Sequence, residues 1–213
     1  MIVVCHVPKS AGNSFKRALR KIMGDKVLSI SAAAYAMIDP ATKALEDRHL
    51  RNYEVIFGHL LPAPYLPLKG KYNITFITWM RDPVDRVISH YNFLGLVYNN
   101  SGSLQQQVVD EEWSLMEFAL HPRIRNLYSR YYEGFGLERF DFVGILEHYR
   151  EDLDWLSKNF FNGELGYGGN LEHYHTLKNP SDSIGTVERS KIRDYHSRDM
   201  RLYEKALRLR DGR

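Results

Sequence analysis

Cysteine is almost absent from this chain of 213 residues: Cys5 is the only one, so no disulfide can form within the chain. No stretch is long and apolar enough to predict a transmembrane helix. For this reason we expect no membrane partner. Neither sign of charge dominates, and with a net charge of only +3 we expect no nucleic-acid partner. The first predicted strand starts at Ile2, which leaves no room for a signal peptide, so we expect a cytoplasmic location.

Internal repeats, low-complexity tracts and Pro/Gly/Ser-rich linkers are also lacking. Strand-like runs near residues 2–7, 54–58, 74–80 and 141–146 alternate with helical patterns, which is typical of a parallel sheet covered by helices. Hydrophobic residues make up 44% of the chain, enough for one sizeable core. We therefore predict a single α/β domain over residues 1–213, with a parallel sheet flanked by helices.

A loop suited to phosphate follows the first predicted strand. The β-branched run 2–7 ends at Pro8, and beyond the loop a helix is predicted from an apolar stripe of Phe15, Ala18, Leu19, Ile22 and Met23. The segment between them is small and polar: Lys9, Ser10, Ala11, Gly12, Asn13 and Ser14. Its amides can approach an anion closely, its hydroxyls can donate, and Lys9 supplies a mobile charge. The pattern G-x-x-x-x-G-K-[ST] is absent, so the loop is P-loop-like without that signature.

A second strand-turn-helix unit places another cation at the same sheet edge. Arg81 ends the run 74–80, Asp82 and Pro83 fit the N-cap and first helical position, and Asp85 stands three residues after the cap. Ser89 lies about two turns into that helix, away from its apolar stripe. Two such units at one edge of a parallel sheet suit a ligand with more than one phosphate-like group.

These two strings resemble the 5′-phosphosulfate loop (residues 8–14) and the 3′-phosphate motif (residues 81–91) of sulfotransferases, and are most similar to the heparan sulfate 2-O-sulfotransferase-like branch and its bacterial relatives. The resemblance implies the donor 3′-phosphoadenosine 5′-phosphosulfate (PAPS), the product PAP, no metal, and transfer of the sulfuryl group to an acceptor hydroxyl. It implies that residues 9–14 hold the 5′ end, with Lys9 neutralising the leaving phosphate. Arg81 and Ser89 would hold the 3′-phosphate.

The same resemblance assigns three further roles. His59 ends the strand-like run 53–58 and would be the catalytic base, since imidazole can take a proton from an alcohol near neutral pH. Lys178 and Asn179 would belong to a loop that closes over the adenine and the 3′-phosphate. Arg130, in the string Asn126–Tyr132, would face the donor or the acceptor, although a structural ion pair explains it nearly as well.

Other function classes remain open at this point. A P-loop kinase shares the α/β design but needs the missing glycine-lysine signature and a metal-binding aspartate, whereas Asp82 fits better as a helix cap. A non-catalytic nucleotide-binding protein of the same fold is the other alternative, and the joint presence of Lys9 and His59 argues against it. His173 and His175 lack a third ligand at metal spacing. We expect a hydroxylated acceptor, either a carbohydrate or a small molecule.

Overall fold

One parallel five-stranded sheet forms the centre of the protein. The computed structural model describes residues 1–30, 51–94, 104–166 and 184–213. Within them the strands are β1 (Ile2–Cys5), β2 (Val27–Ile30), β3 (Val55–Gly58), β4 (Thr75–Met80) and β5 (Phe142–Ile145), in the order β2-β3-β1-β4-β5. Every neighbouring pair is parallel. The predicted P-loop-like α/β fold is confirmed.

Helices connect these strands and cover both faces of the sheet. In chain order they are α1 (Gly12–Met23), α2 (Lys69–Tyr72), α3 (Pro83–Leu94), α4 (Leu104–Asp110), α5 (Leu115–Ala119), α6 (Leu127–Tyr131), α7 (Tyr149–Phe160), α8 (Thr186–Tyr195) and α9 (Ser197–Asp211). No helix of the described ranges is both long enough and apolar enough to cross a membrane.

The core has a layer on each side of the sheet because successive strand residues point to opposite faces. Val3 and Cys5 of β1 pack in one buried cluster together with Tyr128 of α6 and residues of α9. Val4, between them, packs in the other cluster against Phe15 of α1 and residues of α7. Burial on both faces explains why the strands are continuous apolar runs.

The C-terminal part of the chain forms two helices, α8 and α9, with a break at His196. The imidazole of His196 is fully buried and bonds to two other segments of backbone. Its Nδ1 accepts from the amide of Asn126 at 3.2 Å, and its Nε2 lies 2.9 Å from the carbonyl oxygen of Ala119. Both ring nitrogens of His196 therefore have a backbone partner at the point where the chain turns between the two helices.

Candidate functional site

The phosphate loop joins β1 to α1 and leaves the start of that helix open. Lys9 and Ala11 have φ of 70° and 60°, the left-handed conformation that non-glycine residues seldom adopt. Ala11 stands at the N-cap, and among the described residues no side chain caps the helix. The first three amides of α1, those of Gly12, Asn13 and Ser14, precede the first helical hydrogen bond, which the amide of Phe15 makes to the carbonyl of Ala11 at 3.1 Å. This end of the helix is therefore suitable for an anion.

The start of α3 is closed, in contrast. Asp82 Oδ1 accepts from the amides of Val84 and Asp85 at 2.9 and 3.1 Å, which confirms the predicted cap. The carboxylate occupies the place that a phosphate would need at this helix end. An anion at the second motif can therefore be held by two side chains rather than by the helix terminus: that of Arg81, just before α3, and that of the half-buried Ser89, on α3.

Two cations meet between the two motifs. Burial and the charge of Arg81 both lower the pKa of Lys9, so the ammonium and the guanidinium are close enough to repel each other. Among the described residues neither side chain has an acidic partner, and Lys9 Nζ instead lies 4.0 Å from the ring centroid of Phe93. Two neighbouring cations without a counter-ion favour an anionic ligand.

Strand register brings His59 to the phosphate loop. Cys5 of β1 pairs with Gly58 of β3, so the residues that follow them, His6 and His59, lie side by side at the sheet edge. His59 Nδ1 lies 2.9 Å from the backbone carbonyl oxygen of His6. Because a carbonyl can only accept, this bond requires the proton on Nδ1 and leaves the lone pair on Nε2 free.

The protonation state of His59 suits a base. Burial lowers its pKa below the ordinary value of 6.5, the bond to the His6 carbonyl opposes this shift, and the charge of Lys16 adds to it. The imidazole is therefore neutral at pH 7. His6 and His90 are two other histidines near the motifs, and burial, with neighbouring positive charge, lowers the pKa of each to about 3.

Tyr128 of α6 is the site residue that the sequence reading missed. Its side chain is fully buried and its hydroxyl accepts from the amide of Arg81 at 2.8 Å and donates to the carbonyl of the same residue at 3.1 Å. The hydroxyl also lies 2.9 Å from Ser10 Oγ. Since its one proton goes to the carbonyl of Arg81, the Ser10 hydroxyl acts as the donor. One phenol therefore joins the two predicted phosphate motifs.

Glu147 is a second missed residue, and it fixes the start of α3 from the far side. Its Oε1 accepts from the amide of Asp82 at 2.9 Å, and its Oε2 accepts from the hydroxyl of Tyr203 at 3.0 Å. Neither Tyr128 nor Glu147 has a sequence signal of its own, because the contacts join segments 47 and 65 residues apart.

The roles of Arg130, Lys178 and Asn179 stay predictions. Arg130 follows Tyr128 on α6, but its side chain is exposed and its guanidinium donates to the carbonyl of Arg123 at 2.6 Å. Lys178 and Asn179 fall outside the described residues. Within the ranges that the structure describes, no group of three His, Cys, Asp or Glu side chains is placed to hold a metal ion.

A sequence model of the Sulfotransferase family matches residues 1–205. The chain belongs to this family. The match does not separate the heparan sulfate 2-O-sulfotransferase-like branch from others. A search of curated proteins finds no match.

Two solved structures are similar over 93% of this sulfotransferase chain, both at 14% identity. One is mouse sulfotransferase SULT7A1 complexed with PAP, with a TM-score of 0.42, and the chain spans 64% of its length. The other is a sulfotransferase from Alicyclobacillus acidocaldarius, with a TM-score of 0.49, and 91% of its length is covered. At this identity and these scores neither structure transfers a ligand or an acceptor.

Proposed function

We propose that this protein, as one sulfotransferase domain, moves the sulfuryl group of PAPS to a hydroxyl of a carbohydrate or small metabolite. The observation that carries the proposal is a pair of cations, Lys9 and Arg81, next to the uncapped start of α1, with no acidic partner within the described ranges. This arrangement fits a donor that bears phosphate at both its 5′ and 3′ positions. The kinase and the non-catalytic protein are less favoured, because the chain belongs to the Sulfotransferase family and retains a neutral histidine beside the loop.

The donor would be held at two places. The amides at the start of α1, together with Ser10 and Ser14, would bind its 5′ end, and Arg81 with Ser89 would bind its 3′-phosphate. When bound, PAPS supplies a sulfuryl group whose bond to the phosphate oxygen breaks as a bond to the acceptor oxygen forms. Lys9 would leave the ring of Phe93 and neutralise the charge that develops on the leaving phosphate.

His59 would take the acceptor's proton. Its Nδ1–H donates to the carbonyl of His6, and this bond orients the ring and keeps the lone pair of Nε2 available. The proton of the acceptor hydroxyl would pass to Nε2 as the new bond to sulfur forms. The low pKa caused by burial keeps the ring unprotonated at neutral pH, at the cost of a weaker base.

A screen with ³⁵S-labelled PAPS tests the reaction. The purified protein is incubated with labelled donor and a panel of monosaccharides, oligosaccharides and small alcohols or phenols, with His59→Ala as the matched inactive control. We expect label in at least one acceptor, blocked by excess PAP. Phosphate transfer from ATP–Mg²⁺ to the same acceptors, with no sulfuryl transfer, would refute the proposal in favour of the kinase.

A second acceptor class is favoured by one observation, a basic groove along α9. The groove has a volume of about 460 Å³, and its lining includes Tyr132 and Leu137 together with four cationic side chains, those of Arg198, Arg201, Lys205 and Arg208. Of these, Lys205 pairs with Glu138 at 2.5 Å. A row of cations beside an apolar floor suits a long acidic glycan.

Heparin binding separates the two acceptor classes. A small acceptor predicts weak binding of heparin that disappears at ~0.15 M salt, because screening acts over about 8 Å there. The acidic glycan would instead be established as the acceptor by two results together. Heparin would bind tightly, with a strong salt dependence and a loss of binding in Arg201→Gln/Arg208→Gln, and the polymer would be sulfated.

A further inference from the structure

The ring of His6 is packed between the phosphate loop and the ring of His59. We propose that His6 is a positioning residue, whose ring transmits the position of the phosphate loop at Gly12 to the catalytic histidine. The inference rests on the proposed role of His59 as the base. It adds a physical link between the place where the donor binds and the place where the proton is taken.

The contact with His59 has two parts. The His6 and His59 rings are stacked, with centroids 5.0 Å apart and planes 28° apart. The His6 carbonyl accepts from His59 Nδ1 at 2.9 Å. The carbonyl sets the tautomer whatever side chain stands at position 6, whereas the stacked ring limits how far the His59 ring can tilt. Phe57, whose ring centroid lies 5.5 Å away, supports the His6 ring from β3.

The contact with the loop depends on the absence of a side chain at position 12. A Cβ built on Gly12 would come within 2.0 Å of His6 Nε2 and within 2.5 Å of two further ring atoms. The ring therefore occupies the space next to the Gly12 backbone, at the first turn of α1. This glycine is required for close approach and not for its backbone angles, since its φ is not among the positive ones.

The chemistry of His6 fits packing better than proton transfer. Burial, His59, Lys16 and Lys9 lower the pKa of His6 to about 3, so the ring stays neutral in the range where the enzyme would act. A neutral ring can lie beside the donor-binding loop without adding a charge there. The His6 ring contacts both the Gly12 backbone and the His59 ring, so a movement of Gly12 displaces the His6 ring against His59.

A double-mutant cycle tests the link. Gly12→Ala forces the His6 ring toward His59, and His6→Ala removes the ring that the new methyl group meets. We expect Gly12→Ala to lower turnover by ~10²-fold, the size of effect that a misplacement of about 1 Å produces. In the His6→Ala background the same substitution should cost no more than ~3-fold, a non-additivity typical of residues in contact. Gly70→Ala is the matched control, because a Cβ at Gly70 meets nothing within 4 Å.

Two readouts keep this test separate from the proposed function. The ¹⁵N chemical shifts of the His59 ring report its tautomer without any turnover. We expect the Nδ1–H form in the wild type and a mixture in Gly12→Ala, because a His59 ring tilted by the displaced His6 ring loses its bond to the His6 carbonyl. The thermal midpoint of unfolding reports the clash. Gly12→Ala should lower the midpoint or prevent folding, and the double variant His6→Ala/Gly12→Ala should fold with a midpoint close to that of His6→Ala alone.

Two results would overturn the link. One is an equal loss of turnover from Gly12→Ala in the wild type and in the His6→Ala background, and the other is an unchanged His59 spectrum in Gly12→Ala. If His59→Ala retains normal turnover while the cycle is non-additive and the spectrum shifts, the packing link stands and only the assignment of the base fails.

Discussion

Removal of one oxygen atom, in Tyr128→Phe, should loosen both phosphate motifs at once. The hydroxyl accepts from the amide of Arg81, donates to its carbonyl and accepts from the Ser10 hydroxyl, at 2.8, 3.1 and 2.9 Å. A buried polar group left without a partner costs about 1–3 kcal/mol. With two donors orphaned and partial relaxation, we expect a loss of ~2–4 kcal/mol in the free energy of unfolding, or a fall of about 4–16 °C in the thermal midpoint for a chain of this size.

The same change should weaken nucleotide binding, because Ser10 and Arg81 stand in the two proposed phosphate sites. If the free energy of PAP binding becomes less favourable by ~1.4 kcal/mol, the Kd for PAP rises about tenfold. Tyr132→Phe is the matched control: its hydroxyl lies 2.8 Å from Thr78 Oγ1, which still donates to the carbonyl of Cys5. That variant should lose about 1 kcal/mol of stability and keep its affinity for PAP. Calorimetry giving the same PAP affinity for both variants would refute the reasoning.

Four further variants probe single roles. Lys9→Ala should lower turnover more than PAP affinity because its charge acts on the transition state, while Arg81→Ala should weaken PAP binding directly; unchanged PAP affinity in calorimetry of Arg81→Ala would contradict its assignment. His59→Ala should bind PAP normally but lose ~10²–10⁴-fold in rate. Since burial puts the pKa of His59 below 6.5, wild-type turnover should be flat above that pH and fall as the ring is protonated at lower pH; a rate that rises on acidification would exclude this base. Asp82→Ala removes the cap of α3 and should cost ~1 kcal/mol in thermal unfolding, and no change would show that water replaces the carboxylate.

The parts of the fold that a short stretch of sequence can encode were predicted correctly. The cap at Asp82 needs only the residues beside it, and the strands β1, β3, β4 and β5 are apolar runs next to turn residues. The strand β2 (Val27–Ile30) was not predicted. It is a four-residue edge strand with two half-buried positions, so its periodicity is too short to stand out.

The contacts that build the site could not be predicted from short stretches of sequence. The string Asn126–Tyr132 predicts a role for Arg130 by resemblance, but nothing in it marks Tyr128, because the sequence does not show that this side chain is buried at the site. Its contacts with Ser10 and Arg81 depend on how α6 crosses the sheet edge, which only the packed structure specifies. The contact between Gly12 and His6 depends in the same way on how the loop after β1 folds back over the His6 ring.

Thermal unfolding in the presence of PAP, AMP and ATP–Mg²⁺ tests the central claim most directly. A ligand at a hundredfold excess over its Kd stabilises the folded protein by ~2.7 kcal/mol, which corresponds to a rise of about 5–11 °C in the midpoint for a chain of this length. The account predicts this rise with PAP, a smaller one with AMP, which lacks the 3′-phosphate, and none with ATP–Mg²⁺. A rise with ATP–Mg²⁺ equal to or larger than that with PAP would contradict it.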